Sequence, residues 1–447
     1  MFSLDVAMAD RILDYCRRRL ALDPVPLDYG GSEGGFDDAL AGLIGDAGHD
    51  PEVVFARFVE RLATGVISCD SPRFLAFIPA APTKAALLFD MVVSCSSLQA
   101  TSWLEAAGAI AAENQVLRVI ADLAGLPPGA GGCFVSGGTA ANLSALVVAR
   151  DAATHRPAPG GKLRMAVSEE VHSSVERALH VIGVEPLVVA TRDHRLSGEA
   201  LEAALRSVPN ADELTAVIAT AGTTNAGIVD DLASIAAVAR RHRLWFHVDA
   251  AYGGAALFSS KLRSKLVGIE HADSFVVDPH KWLFAPFDCA ALLYRDPRLA
   301  KSVHTQDAAY LNVIHEPASS GWNPSDYALH LTRRARGLPL WFSLAVHGIG
   351  AYGEAIEHVV ATARAAARLI EQTPHVELVC EPELSILLFR RRGWSTPDYD
   401  AWTRRLLASQ VGLVLPTSFE GEVVARLAFL HPDTTPEMVA EILATMA

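Results

Sequence analysis

Two ionisable residues, Asp249 and Lys281, have the types and the spacing to do chemistry together. Asp249 follows the apolar, aromatic-rich run Leu244–Val248, and Lys281 follows a second apolar run, Phe275–Val277, closely. Short apolar runs that stop at small or turn-forming residues are typical of buried strands. In open α/β sheets, reactive groups collect where strands end. We therefore expect the carboxylate and the amine to face one crevice.

An aspartate opposite a lysine suits the cofactor pyridoxal phosphate (PLP). A buried lysine loses its charge easily and can form a Schiff base with an aldehyde. A carboxylate can keep a pyridine nitrogen protonated, which makes the ring an acceptor for electrons released at a substrate carbon. Taken singly, Asp249 could be a turn residue and Lys281 a solvated side chain. Both lie in apolar, glycine-rich surroundings that surface residues do not need, and this favours the cofactor interpretation.

A glycine-rich turn could hold the phosphate of such a cofactor. The segment Cys133–Leu143 has the pattern of a strand, a Gly-Gly turn and the start of an apolar helix. Free amides at a helix N-terminus bind anions, and glycines allow a close approach. Such turns are common, so this one becomes informative only beside the Asp–Lys pair.

The strings HVDAAYGG and DPHKWL surround that pair. Together they resemble the group II PLP-dependent decarboxylases, the family of aromatic-L-amino-acid, histidine and tyrosine decarboxylases, from about residue 73 to the C-terminus. The resemblance implies an α/β enzyme of fold type I. Its expected parts are an N-terminal helical segment that packs across a dimer partner (1–82), a large PLP-binding domain (83–337) and a small C-terminal α+β domain (338–447). The alternation of strand and helix patterns over about 130–295 also predicts a mostly parallel sheet with helices on both faces.

The resemblance assigns a cofactor site residue by residue. It places around PLP Gly137, Gly138, Thr139, His172, Thr224, Asp249, Ala251, Asp278, His280 and Lys281. The first three would hold the phosphate, and His172 would stack on the pyridine ring. Without the resemblance, His172 would be interpreted as a helix cap or surface residue and Thr224 as part of a hydroxyl-rich turn. Asp278 stands where relatives often have asparagine near the cofactor phosphate. A carboxylate there would repel the phosphate unless it is turned away or protonated.

The catalytic residues expected from the resemblance are Lys281, Asp249, His172, Tyr310 and His280. Tyr310 lies in a polar, Gly/Pro/Ser-rich segment, 304–324, that is too long for an ordinary connection. It matches the family's catalytic tyrosine, and relatives that form aldehydes with oxygen typically have phenylalanine there. Tyr310 therefore favours simple decarboxylation, with the tyrosine as proton donor and His280 as a proton shuttle. The residues alone also allow Tyr310 to be an apolar anchor.

Four residues are expected in the substrate pocket: Phe77, Pro79, Ala80 and Thr101. The first three belong to the aromatic-rich segment 73–80, which lines the pocket in relatives and which could equally be a plain apolar strand. Thr101 stands where relatives with aromatic substrates carry a bulky aromatic residue, and Ala80 replaces a larger polar one. The pocket is therefore expected to be roomier or more polar than in those relatives.

The composition excludes several classes of partner. A chain of 447 residues with a net charge of -13 is not expected to bind nucleic acid or an anionic membrane as its main partner. Its apolar stretches are interrupted before the roughly 20 residues that a membrane span needs. The N-terminus has no signal-peptide pattern, and the six cysteines show no metal-like spacing. We therefore expect a cytoplasmic protein without a metal, and the resemblance implies a homodimer with active sites at the interface.

The expected function is PLP-dependent decarboxylation of an L-amino acid, aromatic or related, to the amine and CO2. Two alternatives keep the same cofactor: oxidative decarboxylation and deamination to an aldehyde, and another lyase reaction on this fold. A third is a relative without catalysis in which PLP is a structural ligand. The set Asp249, His172, Lys281 and Tyr310 argues against the third.

Overall fold

A seven-stranded sheet forms the middle of the protein, seen here in a computed structural model that describes residues 2–28, 36–78, 81–154, 162–208, 213–316 and 321–447. Its strands are β1 (Gly131–Val135), β2 (Arg164–Ser168), β3 (Glu185–Val189), β4 (Leu214–Thr220), β5 (Trp245–Asp249), β6 (Ser274–Val277) and β7 (Ala290–Tyr294). Their order in the sheet is β1-β7-β6-β5-β4-β2-β3. Only β7 runs antiparallel to its neighbours. The predicted mostly parallel sheet is confirmed.

Helices cover both faces of this sheet. The helices of the described chain are α1 (Val6–Leu20), α2 (Phe36–Leu40), α3 (Pro51–Arg57), α4 (Lys84–Cys95), α5 (Trp103–Leu123), α6 (Gly138–Thr154), α7 (Ser173–Ile182), α8 (Gly198–Ser207), α9 (Leu232–His242), α10 (Pro279–Trp282), α11 (Pro297–His304), α12 (Asn312–His315), α13 (Leu338–Gln372), α14 (Thr396–Ala408) and α15 (Pro436–Ala444). One face packs on α6, α7 and α11, and the other on α5, α8, α9 and α13. Because both faces are buried, the central strands are largely apolar, with Trp245 in one core and Phe246 in the other.

A smaller antiparallel sheet follows in the C-terminal part. Its strands are β8 (Val376–Cys380), β9 (Ile386–Arg391), β10 (Leu415–Phe419) and β11 (Glu422–Ala428), in the order β10-β11-β9-β8. It packs with α14 and α15, as expected for a small α+β unit. The sequence pattern predicts two helices here, over 341–352 and 355–372. The element α13 does consist of two helical segments, joined by a kink at the non-helical residue Gly348, where φ is 80°. The break lies inside the first predicted helix rather than after it.

The N-terminal helices make few contacts with the rest of the chain. No residue of α1 is buried, and within 2–28 and 36–78 the structure has helical segments and loops but no strand. Large apolar side chains are exposed on α1 and on α4 and α13 further along, including Leu13, Leu88, Val92 and Val346. Among the described residues, no helix is both long enough and apolar enough to cross a membrane.

Two ionic contacts join distant parts of the fold. Arg333 and Glu113 form a fully buried bidentate pair with nitrogen–oxygen distances of 2.7 and 2.8 Å. His194 lies between two carboxylates, with Glu170 of the large sheet's loops at 2.7 Å and Glu420 of the β10–β11 turn at 3.1 Å. Through His194, the β10–β11 turn of the small sheet is tied to Glu170, which lies just before α7.

Candidate active site

A cavity of about 520 Å³ opens at the edge where the carboxyl ends of the parallel strands meet. It lies between this edge of the large sheet, strand β10 and the segment 76–78. Eleven of the residues predicted from the sequence line it: Phe77, Gly137, Gly138, Thr139, His172, Thr224, Asp249, Ala251, Asp278, His280 and Lys281. The expectation that Asp249 and Lys281 share one crevice is met.

Asp249 is buried at the end of β5 and held by two donors. The amide of Ala251 donates to Oδ1 at 3.1 Å, and the side-chain amide of Asn142 donates to Oδ2 at 2.9 Å. Asn142 lies in the first turns of α6 and also lines the cavity. These contacts fix the carboxylate while leaving it on the cavity wall.

Lys281 lies on the one-turn helix α10, directly after β6. Its Nζ is 3.0 Å from Oδ2 of Asp278. Burial lowers the pKa of Lys281, but the negative charges of Asp278 and Asp249 outweigh it, so the pKa lies above its ordinary value. The sequence predicts a lysine that loses its charge easily. In the structure Lys281 holds its proton more tightly than a free lysine, mainly because the carboxylate of Asp278 lies beside it.

The turn between β1 and α6 brings glycine against this carboxylate. The amide of Gly138 donates to Oδ2 of Asp278 at 3.2 Å. A side chain on Gly138 would collide with it, because a Cβ there would lie 2.8 Å from the same oxygen. Gly138 also begins the 17-residue helix α6, whose first amides have no carbonyl partner inside the helix. The amide of Gly138 is taken by Asp278, so the amides that follow it in the first turn of α6 are the ones left for an anion in the cavity.

Two histidines flank the site. His172 lines the cavity and is also the N-cap of α7, since its Nδ1 accepts from the amide of Ser174 at 3.2 Å. The capping and the cavity-lining interpretations of His172 therefore both hold. His280 accepts a hydrogen bond from the amide of Cys289 at 2.9 Å, and burial holds its pKa below the ordinary value.

This arrangement matches a known family. A family model described as the pyridoxal-dependent decarboxylase conserved domain matches residues 45–392. An aromatic-L-amino-acid decarboxylase of Bacillus atrophaeus is 30% identical over 416 residues, covering 90% of this chain and 86% of that protein. The chain belongs to the pyridoxal-dependent decarboxylase family. It is thus a PLP-dependent amino-acid decarboxylase, a carboxy-lyase.

Other relatives agree with the fold. An L-2,4-diaminobutyrate decarboxylase of Rhizobium meliloti (strain 1021) is 32% identical over 422 residues, covering 90% of this chain and 84% of that protein. The Oryza sativa protein TDC, solved with PLP and tryptamine, has a TM-score of 0.90 at 25% identity, over 100% of this chain and 98% of that one. The decarboxylase therefore has the expected fold type I architecture.

The residues of the decarboxylase fit PLP. A phosphate is accommodated by the free amides at the start of α6, and Asp249 and Lys281 line the same cavity for the ring nitrogen and the aldehyde. Three buried polar atoms at the cavity have no hydrogen-bond partner among the described residues: Thr220 Oγ1, Asp278 Oδ1 and Arg426 Nη2. Buried polar groups are normally paired, so such atoms mark a place built for a ligand.

Arg426, on β11, was missed in the sequence analysis. Its Nε donates to the carbonyl of Thr224 at 3.0 Å and its Nη1 to that of Phe77 at 2.9 Å, so one side chain joins β11 to two other segments at the cavity. Burial lowers its pKa to about 10. The indication in the sequence is one arginine within the otherwise apolar run Val423–Leu430. Arginine is rarely buried without a function or a partner.

Other predicted residues lie elsewhere. Thr101 is buried outside the cavity lining, with its hydroxyl donating to the side chain of Gln99 at 3.2 Å. Tyr310 is 71% exposed and is not among the residues that line the cavity within the described part of the chain. Pro79 and Ala80 lie outside the described residues.

Proposed function

We propose that the decarboxylase converts an aromatic L-amino acid to its amine and CO2 without consuming oxygen. The observation that carries this proposal is the single cavity in which Asp249, Lys281 and Arg426 meet beneath mainly apolar walls. Bound PLP supplies an electron sink for the bond broken at the alpha carbon. The roles proposed below belong to residues of this chain.

Lys281 would hold the cofactor and release it to the incoming amino acid, and Asp249 would hold a proton at the ring nitrogen. His172 would pack on one face of the ring, and the small side chain of Ala251 would leave room on the other. The start of α6, with Gly137, Gly138 and Thr139, would hold the phosphate. Thr224, Asp278 and His280 complete the proposed contacts of the cofactor.

Arg426 would bind the alpha-carboxylate of the substrate. Its Nη2 has no partner among the described residues, while its other nitrogens are fixed by the carbonyls of Thr224 and Phe77. A guanidinium fixed in this way offers a directed, charge-assisted hydrogen bond to a carboxylate. Held there, the substrate carboxylate would be kept in one orientation towards the cofactor, which would supply the acceptor for the electrons left when CO2 departs.

The walls of the cavity support an uncharged substrate side chain. Phe77, Ile78, Leu415 and Pro416 are apolar, and Thr417 donates its hydroxyl to a neutral amide, that of Asn225, at 3.0 Å. The only carboxylates in the described lining are those of Asp249 and Asp278, and both have other tasks. A cationic side chain, such as that of 2,4-diaminobutyrate, would lack a counter-charge in this chain's own wall.

We further propose a homodimer in which Tyr310 serves the partner's site as the proton donor to the alpha carbon. Its 71% exposure and the exposed apolar side chains of α1, α4 and α13 support this. The division at residues 82 and 337 and a cytoplasmic location stay predictions.

A hybrid dimer tests the placement of Tyr310. Chains with Lys281→Ala and with Tyr310→Phe are each mixed with themselves and with each other. If Tyr310 acts across the interface, one site of the hybrid contains Lys281 and Tyr310 together, and the mixture recovers up to about a quarter of wild-type activity when subunits exchange at random. Failure to recover activity in a confirmed hybrid would contradict the proposal.

Product analysis tests the reaction. The purified enzyme with PLP is incubated with the twenty amino acids, aerobically and anaerobically, and CO2, amine, aldehyde and hydrogen peroxide are measured. We expect amine and CO2 in equal amounts, with or without oxygen, for an aromatic amino acid. Tyr310→Phe should divert part of the turnover to oxygen-dependent aldehyde formation. Aldehyde as the main wild-type product would establish the oxidative alternative instead.

A further inference from the structure

Asp249 is the end of a buried hydrogen-bond chain that joins β5, β6 and α6 on one face of the sheet. The indole nitrogen of Trp245 lies 2.9 Å from Oγ of Ser274, and the same oxygen lies 2.8 Å from Nδ1 of His247. Nε2 of His247 lies 3.0 Å from Oδ1 of Asn142, whose Nδ2 lies 2.9 Å from Asp249. All five residues are at least nine-tenths buried.

The direction of donation in this chain is fixed at both ends. An indole nitrogen can only donate, and an ionised carboxylate can only accept. Burial lowers the pKa of His247 to about 4, so its ring is neutral near pH 7 and has one N–H. At the carboxylate end, the NH2 of Asn142 donates to Asp249, so Oδ1 of Asn142 accepts from His247 and the N–H of that ring is at Nε2. Nδ1 of His247 is then an acceptor, and Ser274 donates to it while accepting from Trp245.

The side-chain amide of Asn142 makes a second hydrogen bond, which leads towards His172. Nδ2 of Asn142 lies 3.2 Å from Oγ of Ser174, and that oxygen lies 2.8 Å from Nδ1 of His172. If Asn142 donates to Ser174, the hydroxyl of Ser174 is free to donate to His172. The NH2 group of Asn142 thus contacts Asp249, the residue proposed to bind the ring nitrogen. Through the hydroxyl of Ser174 it also reaches His172, the residue proposed to pack on the ring face.

We propose that Asn142 is a positioning residue for the cofactor, oriented by the Trp245–Ser274–His247 chain so that it holds both Asp249 and, through Ser174, His172. This rests on the roles proposed above for Asp249 and His172. A donor to a carboxylate lowers the affinity of that carboxylate for protons. Asn142 therefore keeps the shared proton on the ring nitrogen, and losing its donation moves the proton towards Asp249. A neutral ring is a poorer electron sink, so turnover falls.

The chain offers a matched pair of variants at His247. His247→Phe keeps a ring of similar size but has no donor, whereas His247→Gln retains an N–H that can reach Asn142. Both are prepared as holoenzymes with PLP labelled with nitrogen-15 at the ring nitrogen. The nitrogen-15 chemical shift distinguishes a protonated from a neutral ring, without substrate. Steady-state kcat and KM are measured on the amino acid found by the product screen.

We expect His247→Phe to shift the nitrogen-15 signal towards that of the neutral ring and to lower kcat about tenfold, with KM little changed. At metal sites, removing a residue that hydrogen-bonds to a metal ligand costs about 10- to 100-fold, and the expected loss is the lower end of that range. His247→Gln should stay close to wild type. If His247→Phe does not fold, Asn142→Leu, which fills the space without a donor, must show the same shift.

Three results would overturn the proposal. The first is a wild-type signal in both His247→Phe and Asn142→Leu. The second is an equal shift in His247→Phe and His247→Gln, because that would mean packing and not donation. The third is a neutral ring nitrogen in the wild type, which would overturn the role of Asp249 as well. The wild-type signal thus tests the role proposed for Asp249, and the difference between variants tests that of Asn142.

Discussion

Replacing Arg426 by methionine gives the most direct test of how the substrate is held. Methionine keeps much of the length and apolar stem but loses the guanidinium. A hydrogen bond to a charged group contributes about 1.5–3 kcal/mol, and about 1.4 kcal/mol corresponds to a factor of ten. If one such bond from Nη2 holds the substrate carboxylate in the transition state, kcat/KM should fall by about 10- to 150-fold.

The assay is kcat/KM for decarboxylation at saturating PLP, with the PLP dissociation constant measured in parallel. Arg390→Met, on the neighbouring strand β9, is the matched control, because Arg390 pairs with the half-exposed Glu422 away from the cavity. Arg426→Met also loses its bonds to two backbone carbonyls, so Arg426→Lys, which keeps a positive charge, is measured beside it. The reasoning is refuted if Arg426→Met retains kcat/KM within about twofold of wild type with PLP fully bound.

Three other perturbations follow from charged groups described above. Glu113→Gln leaves Arg333 buried without its counter-charge and should lower the free energy of unfolding by about 3–5 kcal/mol in urea titrations, and an unchanged midpoint would contradict it. At His194, burial lowers the pKa, but hydrogen bonds to two carboxylates raise it by more, so the pKa lies above its ordinary value of 6.5. The stability that protonated His194 provides is therefore present at lower pH and lost as pH rises through that pKa. His194→Gln should remove this part of the pH dependence of the free energy of unfolding. Asp278→Asn removes a negative charge beside the phosphate site and should tighten PLP binding about tenfold, or by about 1.4 kcal/mol, in a fluorescence titration. Weaker binding would mean that the main effect of Asp278 is to support Lys281, whose Nζ lies 3.0 Å from its carboxylate.

The parts of the site that were predicted from sequence are those encoded in short strings. Asp249 ends strand β5 and Lys281 lies on the one-turn helix that follows β6, so a few neighbouring residues set their position at the carboxyl edge. The same holds for the turn at Gly137 and Gly138. Local apolar runs also predict the parallel sheet, because strands buried on both faces are largely apolar.

Contacts made by the tertiary fold were not predictable in this way. Arg426 reaches the cavity because its strand β11 pairs with β10, which lines the cavity. Its partners, the carbonyls of Thr224 and Phe77, are 202 and 349 residues away in the sequence. Asn142 lies inside a string that was recognised, but its contact with His247 depends on how α6 packs on β5. The raised pKa of Lys281 depends on the side-chain direction of Asp278, which composition and spacing do not specify.

The reversed direction of β7 has a chemical consequence for His280. The parallel strands end at the edge of the sheet that carries the cavity, whereas β7 begins there. Cys289, the residue just before β7, therefore presents its amide to this edge. That amide donates to Nδ1 of His280, which leaves Nε2 as the nitrogen that carries hydrogen in the neutral ring. Nε2 is also the atom nearer Asp278, at 3.6 Å. Strand topology thereby selects the tautomer of a histidine beside the cofactor lysine.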